Sequence, residues 1–371
     1  MHDLQSSEGI LAYLKDTRFA ASNVQPLSGG SSAFTFRVIL EVPLETGEKT
    51  IVIKHFEGFV ASRRDVKANA ERAEHEYQAL LAIKALELFD SSSTVQFPRP
   101  IQYDQETHTI FMHDFGSPIP LARVLQKGFS ENRHSSSNST ESSKAEEIYR
   151  TASEIGQALG DFMGHFHNRS SLSANSKLLA YFANKPNLDH RISSVLHLFL
   201  FSSADRFKLR EKWMDEFVAK QQETPIDSSL LVLGDCGIHN ILVNPPSEGG
   251  SMRIYITDLE AARISYPEVD MGGLTASTMS LSLLFCPDIE RAFIPALHQA
   301  YSRHRILDAR RIGIAIGEHL AGFGPAYSWA KGQDETKARE VAVAGLELLK
   351  TSINSDEISI KTHSVTQNLF S

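Results

Sequence analysis

A chain of 371 residues exceeds the size at which one hydrophobic core usually stops growing, so we expect two lobes or domains. Hydrophobic residues make up 42% and charged residues 22%, as in ordinary globular proteins, and the net charge of −8 argues against nucleic acid or an anionic membrane as a partner. The two cysteines, Cys236 and Cys286, imply no disulfide framework and agree with a reducing compartment.

The ends of the chain and its apolar runs bear on localisation. The sequence begins without the basic and apolar segments of a secretory signal. No apolar stretch approaches the roughly 20 residues that a membrane-spanning helix needs. We therefore expect a cytoplasmic protein without a membrane partner, and its oligomeric state is left open.

The first 115 residues are predicted to form a small N-terminal lobe rich in β-strands. Runs of β-branched, aromatic and other apolar residues stand on either side of short polar turns, which is the pattern of antiparallel hairpins. Residues 66–86 instead repeat apolar side chains at helical spacing and predict a helix. The predicted strands cover residues 24–27, 34–40, 50–56, 101–104 and 109–115.

Residues 116–371 are predicted to form a larger helical lobe, so the fold class is α+β. The Ser-rich tract at 131–144 has too few apolar residues to order itself, and we interpret it as a disordered insertion. Among the helices lies one strand pair, 230–235 with 241–244, followed by a strand at 253–258. The predicted helices cover residues 148–166 and roughly 185–200, 205–220, 273–283, 288–302, 307–330 and 335–352.

The strongest functional signal lies in LLVLGDCGIHNILVN (230–244) and RIYITDLE (253–260). Each apolar run ends in polar residues, which places Asp235, Asn240 and Asp258 at strand ends or in tight loops. Phosphoryl transfer needs a carboxylate that accepts the hydroxyl proton, with an amide and a second carboxylate that hold magnesium on the phosphates. The alternative interpretation is that the three polar side chains only cap the strands.

These stretches resemble the catalytic and metal-binding loops of the aminoglycoside phosphotransferase and choline kinase family, a branch of the protein-kinase-like fold. The family pattern His-Gly-Asp-x-x-x-x-Asn is matched from Asp235 to Asn240, and its later Ile-Asp-Phe/Trp-Glu pattern corresponds to Asp258 and Glu260. The resemblance implies a bilobal fold, a catalytic base at Asp235, and Mg²⁺ ligands at Asn240 and Asp258. It also implies a structural anchor at Asp270.

The chain departs from the family pattern within these loops. Leu233 stands where many relatives have a histidine that supports the catalytic loop, and Leu259 replaces an aromatic residue. Cys236 and His239 lie inside the loop but are too few ligands for a zinc site.

The N-terminal lobe is expected to supply the nucleotide-binding residues. Gly29, Gly30 and Ser31 lie in the turn between the first two predicted strands, where phosphates could approach bare backbone amides, although a plain hairpin turn is the alternative. Lys54 lies in the apolar strand TIVIKHF, where a lysine is costly unless it has a partner.

A partner for Lys54 follows from the resemblance. It implies that Lys54 bridges the α- and β-phosphates of ATP and is held by a glutamate of the helix at 66–86. Glu76 matches the family position best, Glu71 is the alternative, and Glu74 is the third glutamate of this helix.

The segment FMHDFG (111–116) falls where the two lobes join. The resemblance implies that backbone groups from Met112 to Asp114 hydrogen-bond adenine, while His113 is interpreted as an exposed hinge residue. His165 and His167, near the end of a buried helix, are expected to be packed and hydrogen-bonded.

The acceptor pocket is expected in residues 273–332, because helices of the C-terminal lobe line it in the family. The candidate substrate residues are Glu260, Glu318, Tyr327 and Trp329, and core packing is the alternative for the two aromatic side chains. Carboxylates beside aromatic faces favour an acceptor that carries a cationic amine.

The resulting functional hypothesis is an ATP- and Mg²⁺-dependent kinase that phosphorylates a hydroxyl group of a small molecule. The resemblance covers roughly residues 20–275 and is closest to the branch containing methylthioribose kinase and fungal 4-hydroxytryptamine kinase. A protein kinase is disfavoured because no Asp-Phe-Gly motif, no Ala-Pro-Glu motif and no activation loop separate Asp258 from the next predicted helix. The alternative from another class is a catalytically silent binding protein with the same fold.

Overall fold

The computed structural model describes residues 2–27, 30, 32–131, 139–185, 188–223, 230–244 and 251–370. The side chains of residues 130–145, 188 and 190 lie outside this description. The chain divides into two compact units, described separately below. The first comprises Met1–Glu87, Phe97–Pro118 and Thr257–Glu260, and the second comprises Leu88–Gln96, Ile119–Ile256 and Ala261–Ser371.

The described residues form twelve α-helices and thirteen β-strands, which follow one another along the chain in this order. The first part of the chain contains α1 (Ser7–Leu14), β1 (Ala21–Pro26), β2 (Phe34–Leu40), β3 (Thr50–His55), β4 (Phe59–Val60), β5 (Arg63–Lys67), α2 (Arg72–Ala85), β6 (Val95–Gln96), β7 (Pro100–Asp104), β8 (Thr109–His113), β9 (Ile119–Pro120) and α3 (Leu121–Glu131). The rest contains α4 (Ser139–Arg169), α5 (Ala180–Ala183), α6 (Leu188–Arg206), α7 (Lys212–Glu223), β10 (Leu230–Val232), β11 (Ile241–Asn244), β12 (Arg253–Ile256), β13 (Arg263–Ser265), α8 (Glu268–Leu284), α9 (Asp288–Ser302), α10 (Ala309–Gly322), α11 (Glu335–Asn354) and α12 (Glu357–Lys361).

The first unit is built on a five-stranded antiparallel sheet in the order β1-β2-β3-β8-β7. Strand β2 alternates buried and half-buried residues, so Phe36, Val38 and Leu40 lie on the core face. Across the ladder Phe36 pairs with Ile53 and Val38 with Ile51, which continues the apolar face into β3. The hairpins predicted from the sequence are therefore confirmed.

The helix predicted at 66–86 is shorter than expected. Arg63–Lys67 form strand β5 against β4, and helix α2 begins only at Arg72. The Asn69 side-chain oxygen accepts a hydrogen bond of 2.9 Å from the Glu71 backbone N–H, an Asx turn that starts the helix at this point. The apolar spacing that predicts a helix continues into residues 66–71, but the turn at Asn69 separates these residues from α2.

The second unit is mainly helical, with short strands among the helices. Strand β10 pairs with β13, and β11 pairs with β12, so the predicted pairing of 230–235 with 241–244 is wrong. The chain leaves β10 through Gly234, whose φ of +85° only glycine adopts readily, and then forms one turn of 3₁₀ helix at Ile238–Asn240. Even so, the predicted α+β class, with a strand-rich N-terminal part and a larger helical part, is confirmed.

Helices α4 and α9 pack in unusually close contact along a stripe of glycines. A Cβ atom on Gly156 would lie 2.5 Å from the Phe293 carbonyl oxygen, and one on Gly160 would lie 2.1 Å from the Leu297 carbonyl oxygen. Larger residues at these positions would force the helices apart, since these contacts are with backbone atoms. The stripe therefore fixes how the two helices meet.

The tract at 131–144, predicted to be a disordered insertion, differs in part from that expectation. Helix α3 includes Glu131 and helix α4 begins at Ser139, so residues 139–144 are helical. Residues 132–138 lie outside the described residues. The reason is helix propagation: adding residues to a formed helix costs far less than starting one, so α4 extends N-terminally beyond its apolar repeat although Ser and Thr have modest helix propensity. Within the described residues, none of the helices is long and apolar enough to cross a bilayer.

His298 on α9 is a buried histidine that the fold holds neutral. The Thr275 hydroxyl donates to the Met271 carbonyl at 2.8 Å and accepts from the His298 ring at 2.8 Å, which assigns the ring proton to Nε2. Among the described residues, Nδ1 of His298 has no hydrogen-bond partner. Burial lowers the pKa of His298 to about 3, so protonation is disfavoured throughout the neutral range.

We expect this histidine to make the protein less stable as the pH falls. The unfolded chain takes up a proton near pH 6.5, whereas the folded protein resists it down to about pH 3, so stability is lost across that window on acidification. The contribution is about 2 kcal/mol between pH 7 and pH 5. Denaturant titrations of wild type and His298→Gln at both pH values measure it. Wild type should lose about that much more than the variant, and exposed His165→Gln, as a control, should behave like wild type.

Candidate active site

In the first unit, Lys54 lies between two carboxylates. Its Nζ atom is 2.7 Å from Glu76 Oε2 and 2.5 Å from Asp258 Oδ1. Burial alone would lower the pKa of Lys54, but the charges of Asp258, Glu76 and Glu260 raise it well above its ordinary value. Lys54 is therefore a fixed positive charge near the C-terminal end of β3, the central strand of the sheet.

Of the three glutamates predicted as partners for Lys54, Glu76 is the one that pairs with it. The Glu76 carboxylate is buried beneath the sheet, with 2% of its side chain exposed. Glu71 precedes the helix and is exposed, and Glu74 is half-buried on a different face of α2. Glu74 cannot take the place of Glu76, because residues two positions apart on a helix point in different directions.

Arg72 is a residue of this group that the sequence analysis missed. Its guanidinium donates to the Ser32 carbonyl at 2.8 Å and the Phe59 carbonyl at 2.9 Å, and lies 3.3 Å from Glu260 Oε2. Burial and the neighbouring Asp258 charge raise the pKa of Glu260 above its ordinary range. Glu260, predicted to contact substrate, is thus already paired. The only sequence signal for Arg72 was its position one helical turn before Glu76.

The predicted nucleotide-binding turn is described only at Gly30, since Gly29 and Ser31 lie outside the described residues. A Cβ on Gly30 would meet no atom closer than 3.7 Å, so this position has room for a side chain. Met112 is buried in β8, where it pairs with Val52 on β3 and Pro100 on β7.

Asp114 lies just beyond β8, and its carboxylate is engaged by an arginine. Arg37 donates to both oxygens of Asp114, at 2.6 Å and 3.0 Å. The same guanidinium also reaches the Gly116 carbonyl. His113, predicted as an exposed hinge residue, is instead half-buried and pairs with Glu48 at 3.0 Å. The Arg37–Asp114 ion pair and the contact between His113 and Glu48 hold the chain where it leaves the sheet.

In the second unit, Asp235, His239 and Asn240 form the core of the loop after β10. Asn240 Nδ2 donates to the Asp235 carboxylate at 3.1 Å and to the Asp235 backbone carbonyl at 3.0 Å. His239 Nε2 lies 3.3 Å from the same carboxylate. Partial desolvation opposes the charge of Asp235, but the neighbouring His239, His319 and Asn240 lower its pKa to about 2. Asp235 is therefore ionised at neutral pH, with 45% of its side chain exposed.

Asp270, predicted as a structural anchor, holds this loop through the backbone. One of its oxygens accepts from the Gly234 N–H at 2.7 Å, and the other accepts from the Leu233 N–H at 2.8 Å and from His167 Nε2 at 3.1 Å. The His167 Nδ1 atom lies 2.8 Å from the Tyr301 hydroxyl. All of these side chains are buried. His165, expected to be packed like His167, is exposed instead.

Aromatic side chains flank the loop on its other side. Tyr327 stacks on Trp329 with ring centroids 4.5 Å apart, and the Tyr327 ring lies 5.1 Å from that of His239. Burial and the nearby Asp235 charge raise the pKa of the Tyr327 hydroxyl. Glu318, the remaining predicted substrate residue, is buried on α10 with Oε1 3.3 Å from His197 Nε2. Tyr327 and Trp329 are thus predicted substrate residues whose rings lie near His239, the histidine that contacts Asp235.

Cys236 lies near His239 in the sequence, which could suggest a metal site, but its thiol is not suited to metal binding or to nucleophilic attack. The thiol is buried, and burial followed by the charges of Asp270 and Asp235 raises its pKa well above the ordinary value. A protonated, buried thiol is a poor ligand and a poor nucleophile. His239 instead contacts Asp235, a role that the sequence analysis did not assign to it.

Among known proteins, the chain is similar to several solved structures. No family model matches the chain, and no curated protein matches it significantly. A choline/ethanolamine kinase family protein from Mesorhizobium loti is 13% identical, with a TM-score of 0.46, over 97% of this chain and 99% of that one. An aminoglycoside 2′-phosphotransferase in complex with GDP is 15% identical, with a TM-score of 0.46, over 93% and 95%. An ethanolamine kinase from Plasmodium vivax is 12% identical, with a TM-score of 0.45, over 89% and 81%.

Proposed function

We propose that this chain is an ATP-dependent kinase that transfers the γ-phosphate to a hydroxyl group of a small molecule. The observation that carries the proposal is the pairing of Lys54 with Glu76 on one side and Asp258 on the other. A buried lysine is costly without partners, and here the carboxylates keep it charged at the centre of a sheet, as the binding of nucleotide phosphates requires.

Asp235 is the proposed catalytic base. Its depressed pKa keeps it ionised, and its partly exposed carboxylate is held by Asn240 and His239. It would accept the proton of the acceptor hydroxyl as the phosphoryl group is transferred, while Lys54 offsets charge on the phosphates.

Asn240 and Asp258 are the proposed ligands of Mg²⁺. The donor set fits, because magnesium prefers hard oxygen ligands and usually takes few of them from protein. Asn240 Nδ2 is committed to Asp235, which fixes the amide so that its oxygen, the atom that a metal would bind, lies on the opposite side. When bound, magnesium would neutralise charge on the phosphates.

For the acceptor we propose an alcohol that carries a cationic amine, within the branch suggested by the sequence. The support is the stack of Tyr327 and Trp329 beside the negative charge of Asp235, since aromatic faces and carboxylates both attract ammonium groups. Glu260 gives weaker support because it is already paired with Arg72, and Glu318 gives weaker support because it is buried beside His197, although its Oε1 makes no hydrogen bond among the described residues.

The activity is tested by measuring phosphate transfer from ATP to a panel of amino alcohols, amino sugars and neutral sugars. We expect transfer to at least one amine-bearing acceptor and a loss of at least about 100-fold in Lys54→Met, which removes the charge facing the phosphates. Lys49→Met, which changes an exposed lysine directly before β3, should match wild type. Nucleotide binding without transfer to any acceptor would favour the silent binding protein instead.

Once an acceptor is found, its N-acetylated form tests the proposed amine. Acetylation removes the positive charge and leaves the hydroxyl group in place. We expect the acetylated compound to react more slowly and the difference to shrink in Trp329→Leu. Equal rates for the two compounds would contradict the amine preference while leaving the kinase activity established.

A further inference from the structure

A second cluster of chemically active side chains lies where the C-terminal part of α4 meets the segment after α9, and it shares no residue with the loop of Asp235. Among the described residues, Asp161, His165 and His304 bring three ligand atoms within 4.8 Å of one another. His304 Nε2 is 2.7 Å from one Asp161 oxygen, and His165 Nε2 is 4.0 Å from the other. The two imidazole rings lie with centroids 4.1 Å apart.

The helices bring these side chains together for identifiable reasons. Asp161 and His165 are four residues apart on α4, so they share one face of the helix. His304 follows the end of α9, where its backbone N–H donates to the Tyr301 carbonyl at 2.9 Å. It packs directly on Gly164, where an added Cβ would lie 2.7 Å from His304 Cβ. The third glycine of the α4 stripe thus leaves the space that the His304 side chain occupies.

We propose that Asp161, His165 and His304 form a binding site for a divalent transition-metal ion such as Zn²⁺. Two imidazole nitrogens and one carboxylate oxygen are a ligand set that suits zinc, copper, nickel or cobalt and does not suit magnesium or calcium. A tetrahedral zinc ion would set its ligand atoms roughly 3.4 Å apart, between the two separations observed. Three protein ligands leave one position for water.

The exposure of the site agrees with an exchangeable ion. About half of the Asp161 and His165 side chains is exposed, at 50% and 56%, whereas His304 is exposed by 19%. An ion could therefore enter from solvent without opening the helices. Once bound, it would tie the C-terminal part of α4 to the segment that follows α9. This inference is independent of the proposed kinase activity.

The test is a calorimetric titration with Zn²⁺ of the untagged full chain after treatment with a chelator. The buffer contains millimolar Mg²⁺, which fills any site made of oxygen ligands so that zinc does not bind there. We expect one saturable equivalent, with affinity at least about tenfold weaker in His165→Ala. Asp161→Asn is the sharper variant, because an amide oxygen can still accept the His304 hydrogen bond but is a poor zinc ligand. It should also lose at least about tenfold in affinity while keeping the wild-type melting temperature in chelator.

The control is His363→Ala, which removes a histidine outside the cluster and should bind zinc like wild type. Titration with Co²⁺ adds a spectroscopic readout, since the visible absorption of tetrahedral cobalt should appear in wild type and vanish in both cluster variants. Unchanged zinc affinity in Asp161→Asn and His165→Ala, or no saturable equivalent in wild type, would overturn the proposal. The Asp161–His304 hydrogen bond would then be a structural contact only.

Discussion

Asp235→Asn is expected to lower turnover by about 10²–10⁴-fold while leaving nucleotide binding near wild type. An amide cannot accept the hydroxyl proton, and a positioned general base contributes a factor of that size. Lys54, the proposed nucleotide-binding charge, is untouched by the change. Steady-state phosphate transfer gives the turnover, and a calorimetric titration with a non-hydrolysable ATP analogue gives the affinity.

The control for Asp235→Asn must disturb the same loop without touching the carboxylate. Ser277→Ala serves, because the Ser277 hydroxyl accepts a hydrogen bond of 3.0 Å from the Ile238 N–H and supports the far end of the loop. We expect it to lose far less activity than Asp235→Asn. Because the pKa of Asp235 is about 2, its protonation should cause no fall in wild-type activity between pH 8 and pH 5. Near wild-type turnover in Asp235→Asn would remove this residue from the base role.

Asp270→Ala is expected to destabilise the protein by about 3–5 kcal/mol, the cost of removing one member of a buried charged network. Three buried donors would lose their acceptor: the N–H groups of Leu233 and Gly234 and the His167 ring. Asp270→Asn keeps the shape of the side chain but turns one acceptor into a donor that faces another donor. We expect it to fold with reduced stability and to lose activity, because the loop of Asp235 is no longer held.

Glu268→Gln is the matched control on the same helix. Glu268 is buried like Asp270, but only its Oε1 is bonded, by the Asp308 N–H at 2.7 Å, and Oε2 has no partner among the described residues. An amide can make the same single contact, so little stability should be lost. Denaturant titrations of Asp270→Ala, Asp270→Asn and Glu268→Gln measure the loss of unfolding free energy in each variant. Equal small losses in all of them would show that Asp270 does not anchor the loop.

The parts of the site that could be predicted are those that local sequence determines. A lysine inside an apolar strand needs a partner, and the family resemblance favoured Glu76 of the following helix, which does pair with Lys54. The five-residue step from Asp235 to Asn240 likewise brings the two side chains to 3.1 Å within one loop. Short-range patterns of this kind depend on few degrees of freedom, so they can be recognised without the fold.

The parts that could not be predicted depend on contacts distant in sequence or made to the backbone. Arg72 binds carbonyl groups, which every residue has, so its partners leave no mark in the sequence. His304 and Asp161 lie 143 positions apart and meet only because α4 and α9 pack closely. The pairing of β10 with β13 similarly depends on the turn at Gly234, whose backbone conformation the strand pattern does not reveal.

The way Asp270 holds the loop of Asp235 bears on which residues position 233 can tolerate. The loop is supported through the main-chain N–H of residue 233, which any residue except proline provides. The Leu233 side chain is buried and serves only to fill space. An exchange between histidine and leucine at position 233 therefore leaves the hydrogen bonds of Asp270 to the loop unchanged. A search pattern that demands histidine before Gly-Asp would reject a chain in which the loop is fully held.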